Sequence, residues 1–123
     1  MATIFPRRGE IWLVNFNPAR GSEQKGMRPA LIIQNDIGNE VSPITIIAAI
    51  STTIKIYPIN VKIKSSESGL AKDSVIKLNQ IRTVDKSRLI KRLGKLSPSI
   101  MDAVNPAILL SLGIAAQEAV KLF

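Results

Sequence analysis

I-N-V-K-I-K-S-S-E-S-G-L-A-K-D-S-V-I-K-L-N-Q-I-R-T-V-D-K-S-R-L-I-K-R-L, the stretch from Ile59 to Leu93, decides the fold class. Ile59 to Lys64 alternates apolar and polar residues with the period of a half-buried strand. Ser74 to Leu78, Gln80 to Val84 and Leu89 to Leu93 are further strand-length segments rich in branched aliphatic residues. Only an S-S-E-S-G turn and a few polar residues separate them. A parallel crossover needs a dozen residues or more, so strands this tightly spaced pair antiparallel.

Toward the N-terminus, Glu10 to Phe16 (E-I-W-L-V-N-F) reads as a first strand that stops at the turn signal Asn17-Pro18. A polar, glycine-containing loop from Arg20 to Met27 leads to Arg28-Pro29 and then to an apolar strand from Ala30 to Gln34. The segment N-D-I-G-N-E-V-S-P reads as a loop, and Ile44 to Ile50 as another buried strand. Toward the C-terminus the period changes. Ser97 is placed as an N-cap, Pro98 as the first helical residue, and Ile100, Met101, Val104, Ile108 and Leu112 keep helical spacing. Pro106 interrupts that pattern and predicts a kink or a restart with Asn105 as a new cap. Gly113 fits a C′ position, after which Ile114 to Phe123 add a frayed turn. The chain therefore reads as one domain over 1–123, with a flexible segment at 1–6 and a C-terminal extension at 114–123. Its expected fold is mainly β and largely antiparallel, a small SH3-like or OB-type barrel with a C-terminal helix.

Composition narrows the chemistry. Seventeen Lys and Arg against nine Asp and Glu give a net charge of +8, on a chain that is 46% hydrophobic and well able to build a core over its 123 residues. Cys and His are both 0, which removes thiol nucleophiles, disulfides, Cys/His zinc sites and imidazole proton shuttles. Carboxylate, hydroxyl, guanidinium, ammonium and phenol remain. The N-terminal MATIFPRRGE has no signal-peptide core, and runs such as Ile44 to Ile50 fall far short of the roughly 18 to 20 residues of a membrane span. That predicts a cytoplasmic protein with no membrane partner. The basic balance points to acidic partners, nucleic acid before all others.

Three segments concentrate polar chemistry. Gly21-Ser22-Glu23-Gln24-Lys25-Gly26, ending in Arg28-Pro29, brings a carboxylate, an amide and two cations ahead of a buried strand; its ordinary reading is a solvated hairpin loop. Ser51-Thr52-Thr53 ends the apolar strand with three successive hydroxyls, and turn chemistry alone would account for that. Asn79-Gln80-Ile81-Arg82-Thr83-Val84-Asp85 alternates polar with apolar residues, as an exposed strand face would with Arg82 paired to Asp85. Lys86, Arg88, Lys91, Arg92 and Lys95 add a positive run, ordinarily a solvated face, which can attract phosphate without reading sequence.

Taken together, R-R-G-E-I-W-L-V-N (Arg7 to Asn15), G-S-E-Q-K-G-M-R-P (Gly21 to Pro29), I-I-Q-N-D-I-G-N (Ile32 to Asn39), S-P-I-T-I-I-A-A-I (Ser42 to Ile50), K-D-S-V-I-K-L-N-Q-I-R-T-V-D-K-S-R-L (Lys72 to Leu89) and S-L-G (Ser111 to Gly113) closely resemble the MazF/PemK family of toxin endoribonucleases. The resemblance runs from about Arg7 to Leu112. It implies an SH3-like barrel that forms a homodimer and cuts single-stranded mRNA at short motifs, without ribosome, metal or other cofactor. It also implies attack of a ribose 2′-hydroxyl on the adjacent phosphate, leaving a 2′,3′-cyclic phosphate and a 5′-hydroxyl, and inhibition by an acidic antitoxin of MazE type.

Residue by residue, the family's catalytic Arg falls on Arg28 and its catalytic hydroxyl, usually Thr, on Ser51. Ser keeps the hydroxyl but loses the methyl that restricts χ1. Glu23 is the carboxylate candidate for RNA contact or for assisting the base, and Ser22, Gln24, Lys25, Thr52, Thr53, Asn79, Gln80 and Arg82 are candidates for RNA binding. Three departures from the family pattern bear on the RNA motif: a short I-K-I-Y-P-I-N-V-K region around Lys55 to Asn60, Asn79 where relatives are often acidic, and Pro106 inside the last helix. The residues also admit a non-catalytic RNA-binding barrel, or a toxin of the same fold that poisons gyrase. Neither needs the Arg28 and Ser51 pair. A third reading, an SH3-like adaptor, is disfavoured by the low aromatic content of 4%.

Overall fold

The computed structural model describes residues 5–18, 21, 26–53 and 59–114. Strand β1 spans Glu10–Asn15, β2 Met27–Ile32, β3 Ile44–Ser51, β4 Asn60–Ile63, β5 Ser74–Asp85 and β6 Leu89–Lys95. They form one sheet in the order β4-β5-β3-β2-β1-β6, and every pairing among these strands is antiparallel. Helix α3, Pro98–Ser111, packs on one face of it. The fold class expected from the strand spacing is the one observed.

Alternation divides the sheet into two apolar layers. Leu31, Ala48, Ile50, Ile76 and Leu78 face α3 and meet its Met101, Val104 and Ala107 in the larger core cluster. The intervening residues Val14, Ala30, Ile32, Ile47, Ala49 and Val84 gather with Phe16 in a smaller cluster on the opposite face. The two edges of the sheet meet through α2, a single turn at Ser65–Ser68 that follows β4. A Cβ on Gly94 of β6 would lie 2.1 Å from the Ser68 carbonyl oxygen, closer than any side chain can approach. Glycine at 94 is therefore what lets the barrel close.

Four expectations are corrected. The segment read as a loop after Gln34 contains helix α1, Asp36–Val41. The Asn35 side chain accepts from the Gly38 N–H at 2.8 Å, and the fully buried Asn39 carboxamide accepts from Thr45 Oγ1 at 2.7 Å while donating to the Gln34 carbonyl at 2.9 Å. Those bonds fix a turn whose own helix propensity is poor. The S-S-E-S-G turn is the helical turn α2, ended by Gly69 at φ 77°.

The two strands expected at 74–78 and 80–84 are one, β5, interrupted by a bulge: one step along β3 from Ala48 to Ala49 corresponds to four along β5, from Ile81 to Lys77. Ser111 Oγ on α3 donates to the Leu78 carbonyl inside this bulge. Finally, α3 runs through Pro106 without a restart. Asn105 caps nothing; its Oδ1 accepts from Arg8 Nη2 at 2.8 Å. Burial of Met101, Val104 and Ala107 on both sides of Pro106 offsets the lost backbone bond. Ser97 and Gly113 take their expected capping places, Ser97 accepting from the Ile100 N–H and Gly113 at φ 73°. The turn expected over 114–123 lies almost wholly outside the described residues.

Candidate nucleic-acid cleft

β2 and β3 pair as Ala30 with Ala49, Leu31 with Ala48 and Ile32 with Ile47. The ladder ends at Ala30 with Ala49, and Arg28 and Ser51 each lie two residues beyond that last pair. Alternation puts Arg28 on the face of Ala30 and Ser51 on the face of Ala49, both in the smaller cluster, so the guanidinium and the hydroxyl rise from the face that α3 does not cover. Arg28 is exposed and Ser51 half-buried, where the strands leave the smaller cluster.

Around them lies an open cleft of about 310 Å³ lined by Arg28, Pro29, Ile50, Ser51, Thr52, Thr53, Ser74 and Lys77. Ser51 Oγ accepts from the Thr53 N–H at 3.1 Å. One lone pair is thereby engaged, and the hydroxyl proton is what the group can donate outward. Ser74 is buried, its Oγ donating to the Lys72 carbonyl at 3.0 Å. Among the described lining residues are two cations and no carboxylate, a composition that favours an anion.

The structure thus brings together Arg28, Ser51, Thr52 and Thr53 of the residues singled out in the sequence. Ser22, Glu23, Gln24 and Lys25 lie outside the described residues, as does most of the Lys55 to Asn60 departure. Asn79 and Gln80 sit on the β5 bulge, with Asn79 exposed, and neither lines the cleft. Arg82 places its guanidinium carbon 5.5 Å from the Phe16 ring centroid, a cation–π contact against the smaller cluster, and also stands outside the lining. Pro29 was named only as the neighbour of Arg28, and Ser74 and Lys77 were not singled out as site residues. Lys77 carries a signal visible in retrospect, a cation inside an otherwise apolar V-I-K-L strand core.

Part of the basic run has structural work. The Arg88 guanidinium donates to the Asn15 carbonyl at 3.0 Å and to that of Asn17. Arg92 Nε is 3.2 Å from Glu10 Oε2, while Glu10 Oε1 accepts from the Trp12 indole at 3.0 Å and from the Arg7 N–H at 2.8 Å. Asp85, fully exposed, is held below the ordinary carboxylate range first by the Ser87 backbone N–H, then by the Ser87 side chain and the nearby Arg88 charge. Among the described residues no cluster of three or more His, Cys, Asp or Glu could hold a metal ion.

Residues 7–112 match the family described as the PemK-like, MazF-like toxin of type II toxin–antitoxin systems. Over 110 residues the chain is 52% identical to the endoribonuclease MazF of Staphylococcus saprophyticus, covering 88% of this chain and 92% of that protein. It is 44% identical over 110 residues to the endoribonuclease EndoA of Bacillus subtilis, covering 88% and 95%. The crystal structure of MazF from Deinococcus radiodurans superimposes with a TM-score of 0.78 at 26% identity, over 90% of this chain and 99% of that one. A mycobacterial endoribonuclease in complex with its cognate antitoxin gives a TM-score of 0.77 at 25% identity, over 90% and 98%.

Proposed function

We infer that this chain, which belongs to the PemK-like, MazF-like toxin family of type II toxin–antitoxin systems, is a single-domain endoribonuclease that cuts single-stranded RNA. The observation that carries the reading is that Arg28 of β2 and Ser51 of β3 line one cleft, with two cations and no carboxylate among its described lining residues. As a ribose 2′-oxygen attacks the adjacent phosphorus, its proton passes to water and negative charge builds on the non-bridging phosphate oxygens. The P–O5′ bond then breaks and the 5′-oxygen takes up a proton from water, leaving a 2′,3′-cyclic phosphate. A planar, permanently charged guanidinium offers two parallel donors to those oxygens, and the Ser51 hydroxyl adds a third beside them. Incubation of the purified protein with a long single-stranded RNA in EDTA tests this reading. Discrete fragments ending in cyclic phosphate and 5′-hydroxyl are expected, and RNA left intact would overturn it.

The toxin is read as a cytoplasmic homodimer. Leu109 in the last turn of α3 and Leu112 and Ile114 just after it are 45%, 57% and 68% exposed, an apolar surface that a second copy of the chain would cover. Trp12, by contrast, is half-buried against the smaller cluster with its indole N–H on Glu10. Sedimentation at micromolar concentration should show twice the 13.4 kDa mass of one chain; a stable monomer would contradict this. No helix among the described residues is long and apolar enough to cross a membrane. The antitoxin is read as an acidic, MazE-type segment lying over the same cleft, since spaced carboxylates suit what spaced phosphates suit. Its inhibition should compete with RNA and weaken with salt.

A further inference from the structure

Lys77 is the unexplained cation of the cleft. It lies in mid-strand on β5, paired with Ala49 on one side and Asn60 on the other, while its neighbours Ile76 and Leu78 are fully buried against the opposite layer. A lysine placed there could serve only as an aliphatic cover for the sheet, its stem over Ala49 and its ammonium in water. Two observations favour a ligand instead. Lys77 is half-buried and lines the same cleft as Arg28 and Ser51, and no carboxylate among the described lining residues meets it.

The register sets how far it stands from Arg28. Lys77 is opposite Ala49, Ala49 is opposite Ala30, and Arg28 lies two residues before Ala30, so the two cations lie two strands apart and two residues out of line. From ordinary strand spacing and rise their Cα atoms are about 12 Å apart. Both side chains are long and rise from one face, so their charged ends can hold two different phosphates of one strand rather than converge on a single phosphate.

We propose that Lys77 is a phosphate-binding residue of the cleft, holding a phosphate that flanks the one cut at Arg28 and Ser51. This rests on the endoribonuclease reading above. Lysine is a compact point charge, fitted to holding a phosphate without demanding the two-pronged geometry required at the reacting one. Lys77 therefore contributes to RNA affinity and leaves the chemical step to Arg28 and Ser51.

The experiment first maps a cleavage site on long RNA. It then uses a short oligoribonucleotide containing that site with the attacking 2′-hydroxyl replaced by hydrogen, so that binding is read alone. Lys77→Gln should weaken binding about threefold to tenfold at low salt and lower the slope of log affinity against log salt by about 0.7, one phosphate contact of a single strand. Its single-turnover rate on the cleavable RNA at saturating enzyme should stay within about twofold of the unsubstituted protein. Lys77→Arg should keep the slope, and Lys77→Met, which preserves the aliphatic stem, should lose it as Gln does. Equal slopes for all four proteins would overturn the proposal, as would a loss confined to the saturating rate. RNA that the unsubstituted protein neither binds nor cuts would overturn the endoribonuclease reading with it. Normal cutting together with an unchanged Lys77→Gln slope would overturn this inference alone.

Discussion

The two faces of the central sheet carry opposite burdens, although the same strands make both. On β3 and β5, Ile50 and Ile76 are buried against α3, and one residue further along each strand Ser51 and Lys77 point away from it into the cleft. On β2 the same alternation sets Leu31 in the core and Arg28 at the cleft. The helix-covered face is built for burial. The open face has a smaller apolar cluster and ends in cations and hydroxyls, so its polar groups are held by strands that the other face makes rigid. Stability and chemistry are then separable by single substitutions, which is where the comparison can be broken.

The largest effect should come from the open face. Arg28→Ala should lower the single-turnover rate at saturating enzyme by on the order of a hundredfold to a thousandfold or more, with an unchanged circular dichroism spectrum. Arg28→Lys should recover little of it, because an ammonium cannot supply the paired donors. A folded Arg28→Ala protein that cuts at the parent rate would remove the site from this cleft altogether.

On the covered face, Ile76→Ala should cost about 2–5 kcal/mol in denaturant unfolding, since Ile76 is fully buried and its removal leaves a void under α3. Where that variant is still folded, its rate at saturating enzyme should remain close to the parent's. A large drop in that rate would show that the two faces are not independent.

The strands were legible because period-2 patterning survives in a half-buried sheet, and the capping of α3 was legible because Ser97, Pro98 and Gly113 each act locally. What escaped the sequence depended on partners distant along the chain. Helix α1 contains Gly38 and the β-branched Ile37 and Val41, and is held by Asn39 bonding to Thr45 and Gln34. Pro106 reads as a break until the layer buried beneath α3 is known. The continuity of β5 through its bulge appears only in its pairing with β3. The site divides in the same way. Arg28 and Ser51 stood out through the resemblance, whereas their adjacency needed the β2–β3 register, and Lys77 needed the register of three strands at once.

A finer effect concerns the second donor. Ser51→Ala should slow cleavage less than Arg28→Ala does, because it removes one neutral donor rather than a charge. Ser51→Thr should be at least as fast as the parent, its added methyl restricting the rotamer of the hydroxyl. A Ser51→Thr variant slower than Ser51→Ala would mean that the hydroxyl is not what this position supplies.

The smallest effect lies away from both faces, at Asp85. Its carboxyl is lowered from 3.8 in the folded protein, so the charge stabilises the fold above that value and loses its contribution as pH falls through the folded pKa. Unfolding of Asp85→Asn, compared with the parent, should therefore show a small deficit at neutral pH that disappears in acid. A deficit that grows in acid would reverse the sign.

The central claim is that the cleft performs an attack by the RNA's own 2′-hydroxyl. The most direct test takes two oligonucleotides that differ only in having hydrogen in place of that hydroxyl at the mapped site, and follows both under single-turnover conditions. The parent RNA should be cut, leaving a 2′,3′-cyclic phosphate and a 5′-hydroxyl, and the substituted one should remain intact while still binding. Cleavage of the substituted strand at the parent rate would contradict the account.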